Sequence, residues 1–238
     1  MATLTRVATR ELMDDLGRSD RELRDQLRDL GWINRWFGAH AFVRRFLDRM
    51  LPAWMDRRAH DGSPLALLDV ATGGADIPIA VADWAARRGV AARVTAVDRH
   101  PVITRLAREM TSRYPSITVL EADALALPFP DNSFDVCLCS LALHHLDPAD
   151  GEAMLRELDR LARLGFLVMD LVRGWSGYVG VWLLTRCSRS PLTRHDGPIS
   201  VRRARSWDEY RDLAAASGIP GLRLFKLALF RMGLARDG

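Results

Sequence analysis

Lysine is almost absent from this chain: Lys226 is the only one, and arginine supplies the rest of 34 basic residues set against 30 Asp and Glu. Cysteine is scarce too. Cys137, Cys139 and Cys187 form no Cys-x-x-Cys pair, which excludes a disulfide framework and a zinc ribbon, so no metal is expected. No apolar run approaches the ~20 residues of a spanning helix. The first ten residues lack the apolar stretch of a secretory leader. A cytoplasmic location and no membrane partner are the expectation. The net charge of +4 permits a nucleic-acid partner, but the arginines are scattered among acids, as in Asp20-Arg21-Glu22 and Asp56-Arg57-Arg58. Scattered charge reads as a solvated surface.

What is present is globular chemistry. The 238 residues are 48% hydrophobic, enough for one sizeable α/β core. In residues 11–55, Leu23, Leu27, Leu30, Ile33 and Trp36 or Phe37 recur at helical steps, and Ser19 with Glu22 has capping-box spacing. Pro52 and Asp61-Gly62-Ser63-Pro64 are expected to end this region. Strands are expected at 65–71, 93–97, 116–120, 134–140 and 165–171, with helices at 77–88, 101–113 and 148–163. One or two closing strands are expected at 222–234. Alternation of this kind gives a doubly wound, Rossmann-like, mostly parallel seven-stranded sheet with helices on both faces. Residues 1–60 are expected to form a helical lid. Residues 61–238 form the main domain, with a substrate-covering insertion at about 172–205, within which Ser190 to Pro198 reads as a polar turn.

Three stretches carry chemistry. Leu67-Leu68-Asp69-Val70-Ala71-Thr72-Gly73-Gly74-Ala75-Asp76 joins the first strand to the first helix of the sheet. Small residues there let backbone N–H groups approach a ligand, although an ordinary tight turn has the same composition. Asp98 ends the second strand, where a carboxylate can accept from both ribose hydroxyls or simply cap the helix at Pro101. Glu121-Ala122-Asp123-Ala124-Leu125-Ala126-Leu127-Pro128-Phe129-Pro130-Asp131-Asn132-Ser133-Phe134-Asp135 leads from the third strand into the fourth.

Taken in order, these stretches resemble the class I S-adenosylmethionine-dependent methyltransferases, and especially the branch of ubiquinone/menaquinone-biosynthesis and natural-product enzymes. The resemblance covers residues 65–171 and implies S-adenosyl-L-methionine as cofactor. It implies that Asp69 and the Ala71, Thr72, Gly73, Gly74 backbone surround the methionine part, and that Asp98 holds the ribose with Arg99 beside it. It implies that Asp123 and the Ala124 N–H meet the adenine edge, and that Ser140 lies near the methionine amino group. The chain departs from the family in having Ala71 and Ala75 where Gly is usual. Alanine keeps the loop small and fits provided those positions stay out of the left-handed region.

Methyl transfer to a hydroxyl also requires a proton to leave, and a phenol has a pKa of about 10. Candidate bases are His144 and His145, after the fourth strand, with Asp170 at the end of the neighbouring fifth. His195 is a further candidate, in a loop expected to cover the pocket, with Arg194 to orient an acidic substrate. The competing reading makes the His pair a packing feature and the 194–196 stretch a polar turn. Trp32, Trp36, Trp175 and Tyr178 are expected to line a lid over an apolar, aromatic or polyketide/quinone-like substrate, unless they serve core packing or a homodimer face. O-methylation is favoured over C-methylation. The alternatives are a nucleic-acid methyltransferase, against which no Asn-Pro-Pro-Tyr or Pro-Cys motif stands after the fourth strand, and an inactive binding protein of the same fold.

Overall fold

The computed structural model describes residues 4–15 and 17–237, without the side chain of Asp61. Residues 1–3, 16 and 238 of the expected lid and main domain lie outside the described residues. The strands are β1 (Leu65–Val70), β2 (Ala92–Asp98), β3 (Ile117–Glu121), β4 (Phe134–Ser140), β5 (Ala162–Leu171), β6 (Arg223–Leu227) and β7 (Arg231–Asp237). They form one sheet in the order β3-β2-β1-β4-β5-β7-β6. The first five are parallel, and β7 runs antiparallel between β5 and β6. Strand order reverses between β1 and β4, so a crevice opens at their carboxyl ends.

The helices are α1 (Asp20–Trp36), α2 (Ala39–Asp61), α3 (Asp76–Arg88), α4 (Pro101–Met110), α5 (Pro148–Leu161), α6 (Trp175–Arg186), α7 (Pro191–Arg203) and α8 (Trp207–Ser217). α2 and α3 cover one face of the sheet, where Phe46, Trp54, Val81 and Trp84 pack on Leu67, Val136 and Leu167. α5 and α8 cover the other, where Leu155, Leu158 and Tyr210 pack on Cys137, Cys139 and Phe166. Strands buried on both faces read as continuous apolar runs, which is why the centre of this fold is plain in the sequence.

The periphery differs from expectation in three places. Pro52 does not end the second helix, which runs on to Asp61. Its apolar face, Val43, Phe46, Leu47, Met50 and Trp54, is seated in the core, and that burial outweighs the lost backbone bond. α2 is thus part of the main sandwich, and within the expected 1–60 lid only α1 and the chain before it lie over the crevice. The polar stretch from Ser190 is not a turn but the start of α7, with Ser190 as N-cap and Pro191 in the first turn. Pro198 and Gly197 are held inside it because Gly197 lies against Thr185 of α6, where no larger residue fits.

Candidate active site

The loop after β1 follows a demanding path. Ala71 (φ 55°), Gly73 (φ 53°) and Ala75 (φ 57°) are all left-handed. The expectation that the two alanines avoid this region is therefore corrected. Each costs about 1–2 kcal/mol against glycine's ease there. Leu141, directly after β4, is left-handed as well (φ 58°). Strain concentrated at the carboxyl ends of two neighbouring strands marks a functional crevice.

Asp98 holds this loop. Its carboxylate accepts from the Gly73 N–H at 2.9 Å and the His100 N–H at 3.0 Å. It is not the cap of α4, since the His100 side chain caps that helix. A carboxylate has about four lone-pair sites, so two acceptor positions remain for a ligand. Burial raises the Asp98 carboxyl against the pull of these N–H groups. Asp69 sits behind the loop and does not line the cavity. It accepts from Thr72 Oγ1 at 2.6 Å, and burial pushes its pKa up to about 8.

The crevice widens into a cavity of about 630 Å³. Ala71, Thr72, Gly73, Gly74, Asp98, Arg99, Asp123, Ala124 and Ser140 all line it. The Ser140 hydroxyl is buried and has no hydrogen-bond partner among the described residues. Beyond this polar end the walls are apolar: Leu27, Leu30, Ile33 and Phe37 of α1, and Val181 and Leu184 of α6.

His144, His145 and Asp170 come together as the topology dictates. The His144 Nδ1 lies 2.7 Å from Asp170 Oδ1, and the His144 backbone N–H donates to the other oxygen at 2.7 Å. The two imidazoles lie with ring centres 4.3 Å apart and their planes tilted by 39°. The chain before α1 supplies two partners that the sequence reading did not single out. Glu11 Oε1 is 3.3 Å from His144 Nε2 and 3.8 Å from His145 Nε2. Asp14 Oδ2 is 3.4 Å from His145 Nδ1.

Burial alone would neutralise His144. The charges and hydrogen bonds of Asp170 and Glu11 outweigh it and push its pKa up to about 10. Burial likewise opposes charge on Glu11 and Asp170, yet His144 holds both carboxyls below their usual range. Asp14 is held at about 2, burial being outweighed by His145, Arg203 and Arg99. The only available signal for Glu11 and Asp14 was two acids before a helix cap, which sequence alone cannot tell from surface charge.

Asp196 explains how this segment is held. Placed on α7, it accepts from the N–H groups of Leu12 (2.8 Å) and Met13 (3.1 Å) and from Gln26 Nε2 (2.9 Å). The one-turn 3-10 helix Leu12–Asp14 is thereby pinned over the histidines. His195, by contrast, is exposed. Its Nδ1 reaches Asp196 at 2.9 Å, and the ring is not in the cavity wall. Arg194 is also outside the wall, and its carbonyl accepts from Arg186.

The expected aromatic lining is not where the helix pattern put it. Leu23, Leu27, Leu30, Ile33 and Phe37 mark the inner side of α1, which turns Trp32 and Trp36 outward to solvent. Trp175 is exposed, and Tyr178 packs beside Leu4, Leu171 and Val201. Neither lines the cavity. A residue not foreseen does. Arg231, at the start of β7, is buried in the wall, and its Nη1 has no hydrogen-bond partner among the described residues. Burial lowers its pKa against the attraction of Asp170 and Asp76.

The fold is that of the S-adenosylmethionine-dependent methyltransferases, and the site is similar to theirs. Residues 68–169 match the family described as a methyltransferase domain. The chain is similar to the demethylmenaquinone methyltransferase of Lysinibacillus sphaericus, 28% identical over 170 residues that cover 71% of this chain and 69% of that one. It is 35% identical over 128 residues to the protein of the same description from Thermus thermophilus, covering 50% of this chain and 56% of that one. Over 181 residues it is 27% identical to the 2-phytyl-1,4-naphtoquinone methyltransferase of Synechococcus elongatus, covering 74% and 69%. Among solved structures, the fold is shared with PigF bound to SAH (TM-score 0.58, 22% identity, 94% of this chain and 64% of that one). It is shared also with an S-adenosylmethionine-dependent methyltransferase from Aquifex aeolicus (TM-score 0.54, 19% identity, 72% and 80%). Among the described residues, no helix is long and apolar enough to cross a membrane.

Proposed function

We propose that this protein methylates a hydroxyl oxygen on a small, apolar, ring-bearing acceptor of quinone or polyketide type. The observation that carries this reading is a cluster of two imidazoles and three carboxylates, with Glu11, His144 and Asp170 buried and His145 and Asp14 partly so, opening on an apolar cavity continuous with the Gly73-Gly74 loop. The names of the relatives support a quinone-like ring. The imidazole cluster supplies a base for the proton that a hydroxyl loses as its oxygen is methylated.

The residues present suit the cofactor. Ser140 offers an unpartnered hydroxyl, Asp98 keeps two acceptor positions, and small residues keep the loop open. Asp98 would hold the ribose, Asp123 and the Ala124 N–H the adenine edge, and Ser140 the methionine amino group. Asp69 acts from behind the loop by fixing Thr72. When bound, the cofactor supplies an electrophilic methyl on a sulfonium.

His145 takes the acceptor's proton. His144 is already charged at neutral pH and has no vacancy for one. Asp14 orients the His145 ring, while His144, Glu11 and Asp170 form the charged floor beneath it. Arg231 faces the same cavity and stabilises the oxyanion as the proton leaves. The apolar walls exclude water, so alignment and desolvation supply much of the acceleration.

Release of S-adenosylhomocysteine, measured across phenols and hydroquinones, tests the proposal. An isotope-labelled methyl read by NMR distinguishes a methyl ether from a C-methyl product. No release from any ring-bearing hydroxyl would overturn the reading, and a C-methyl product would overturn its oxygen half.

A further inference from the structure

Three elements frame the apolar end of the cavity: α1 through Ile33 and Phe37, α6 through Val181 and Leu184, and the β6–β7 turn through Leu229 and Phe230. Their outer sides are apolar as well, and they face solvent. Trp32 and Trp36 are 53% and 67% exposed, Trp182 and Leu183 42% and 56%, and Leu229 49%. A helix that is apolar on both sides normally has cover on both. Here only the inner side is covered. The rim is also fixed: Ser188 and Thr193, at the α6–α7 corner, both donate to Asp29 of α1.

The exposed charge on this rim is mainly basic. Between positions 172 and 203 the one acid, Asp196, is buried, Arg173 and Arg203 pair with Glu209 and Asp14, and Arg186, Arg189, Arg194 and Arg202 are at least partly exposed. Beyond Asp29, which the Ser188 and Thr193 hydroxyls engage, the end of α1 carries Arg35 and no further acid. Arg186 lies over the Trp182 ring at 5.3 Å. A second copy of the chain would set this basic rim against itself and be repelled. Exposed tryptophan beside arginine is instead the chemistry of the headgroup layer of an anionic bilayer.

We propose that this rim docks on an anionic lipid surface, so that the cavity opens onto the bilayer and takes up an amphiphilic acceptor from it. Docking of this kind needs only a surface, and no spanning helix is found among the described residues. The uptake half rests on the acceptor reading above, and the docking half stands independently of it.

Vesicle flotation of the full chain tests docking without reference to activity. The expected result is co-flotation with phosphatidylglycerol vesicles but not with pure phosphatidylcholine. Release is expected as salt is raised from about 0.05 M to about 0.5 M, with a blue shift of tryptophan fluorescence on binding. The variant Trp32→Ser/Trp36→Ser/Leu183→Ser, all at positions more than half exposed, should partition about tenfold less. It should methylate a water-soluble phenol as the parent does. Arg35→Gln/Arg189→Gln should weaken binding to the anionic vesicles to a similar degree. Absence of flotation, flotation unchanged in both variants, or a dimer in sedimentation that the tryptophan variant dissolves would each overturn docking. Loss of methyl transfer to every phenol, with vesicle binding intact, would remove the acceptor assignment and leave docking in place.

Discussion

The Gly73 N–H donates to the Asp98 carboxylate at 2.9 Å, which locks the loop after β1 to the end of β2 before any ligand arrives. Asp98→Ala should therefore do more than remove a ribose contact. It leaves the Gly73 and His100 N–H groups unpaired, at about 1–3 kcal/mol each where they stay buried. Calorimetry should show S-adenosylhomocysteine affinity falling roughly 100-fold or more, with a smaller fall in Asp98→Asn, which keeps one acceptor oxygen. Equal affinities in the parent and Asp98→Ala would show that the loop is held by other means.

The division of labour between the two histidines is testable by kinetics. His145→Gln should lower kcat by about 10²- to 10⁴-fold, the usual contribution of a positioned base, with little change in cofactor affinity. Asp14→Asn should lower kcat less and move the pH profile, since it alters only the partner of the ring. A His145→Gln enzyme of normal kcat would reassign the base.

His144 makes stability depend on pH in a definite direction. Its pKa rises from an ordinary 6.5 to about 10 in the folded chain. The folded state thus holds a proton more tightly than the unfolded state. That contribution is complete below about pH 6.5 and is lost as the pH climbs through about 10. Denaturant midpoints taken at about pH 6, 8 and 10 should fall across the series. In His144→Gln that part of the slope should vanish. Glu11→Gln should retain it with the decline moved to lower pH, because one of the two attracting carboxylates is gone. Identical slopes in parent and His144→Gln would mean that the ring is neutral.

The strained alanines separate backbone from side-chain effects. Ala71→Gly relieves left-handed strain but adds freedom to the unfolded chain, so the net change should lie within about 1 kcal/mol. Ala71→Val should cost about 2 kcal/mol or more, because a β-branched residue fits this conformation poorly. Gly74→Ala is expected to act differently. A Cβ there meets Leu27 Cβ at 3.1 Å, so it should push α1 outward and weaken cofactor binding along with stability. Melting temperatures paired with calorimetry distinguish the two patterns.

Arg231 should act on the acceptor and not on the cofactor. Arg231→Met should raise the acceptor KM and lower kcat while leaving S-adenosylhomocysteine affinity within about threefold, with partial recovery in Arg231→Lys. A large loss of S-adenosylhomocysteine affinity would place the guanidinium against the methionine carboxylate instead.

The centre of the molecule was legible because doubly buried strands announce themselves, as in Val136-Cys137-Leu138-Cys139, and because the loop, Asp98 and Asp123 occur in a fixed order. The periphery was not, for reasons specific to each place. Pro52 was read by its local effect, but the apolar face of α2 has enough core to sit in that the helix continues through it. The stretch from Ser190 has turn composition, and only its fit against Thr185 and the contacts of Asp196 make it helical. On α1 a phase error of one residue separates Phe37, which lines the cavity, from Trp36, which does not. Glu11 and Arg231 lie far in sequence from the histidines and Asp170 that they join, and no local pattern marks such partners.

Glu11 and Arg231 stand near opposite ends of the 238 residues, yet they share one cavity wall. The acceptor chamber is therefore walled by two segments distant in sequence, the chain before α1 and the β6–β7 hairpin, and its wall is complete only when both are seated against the sheet.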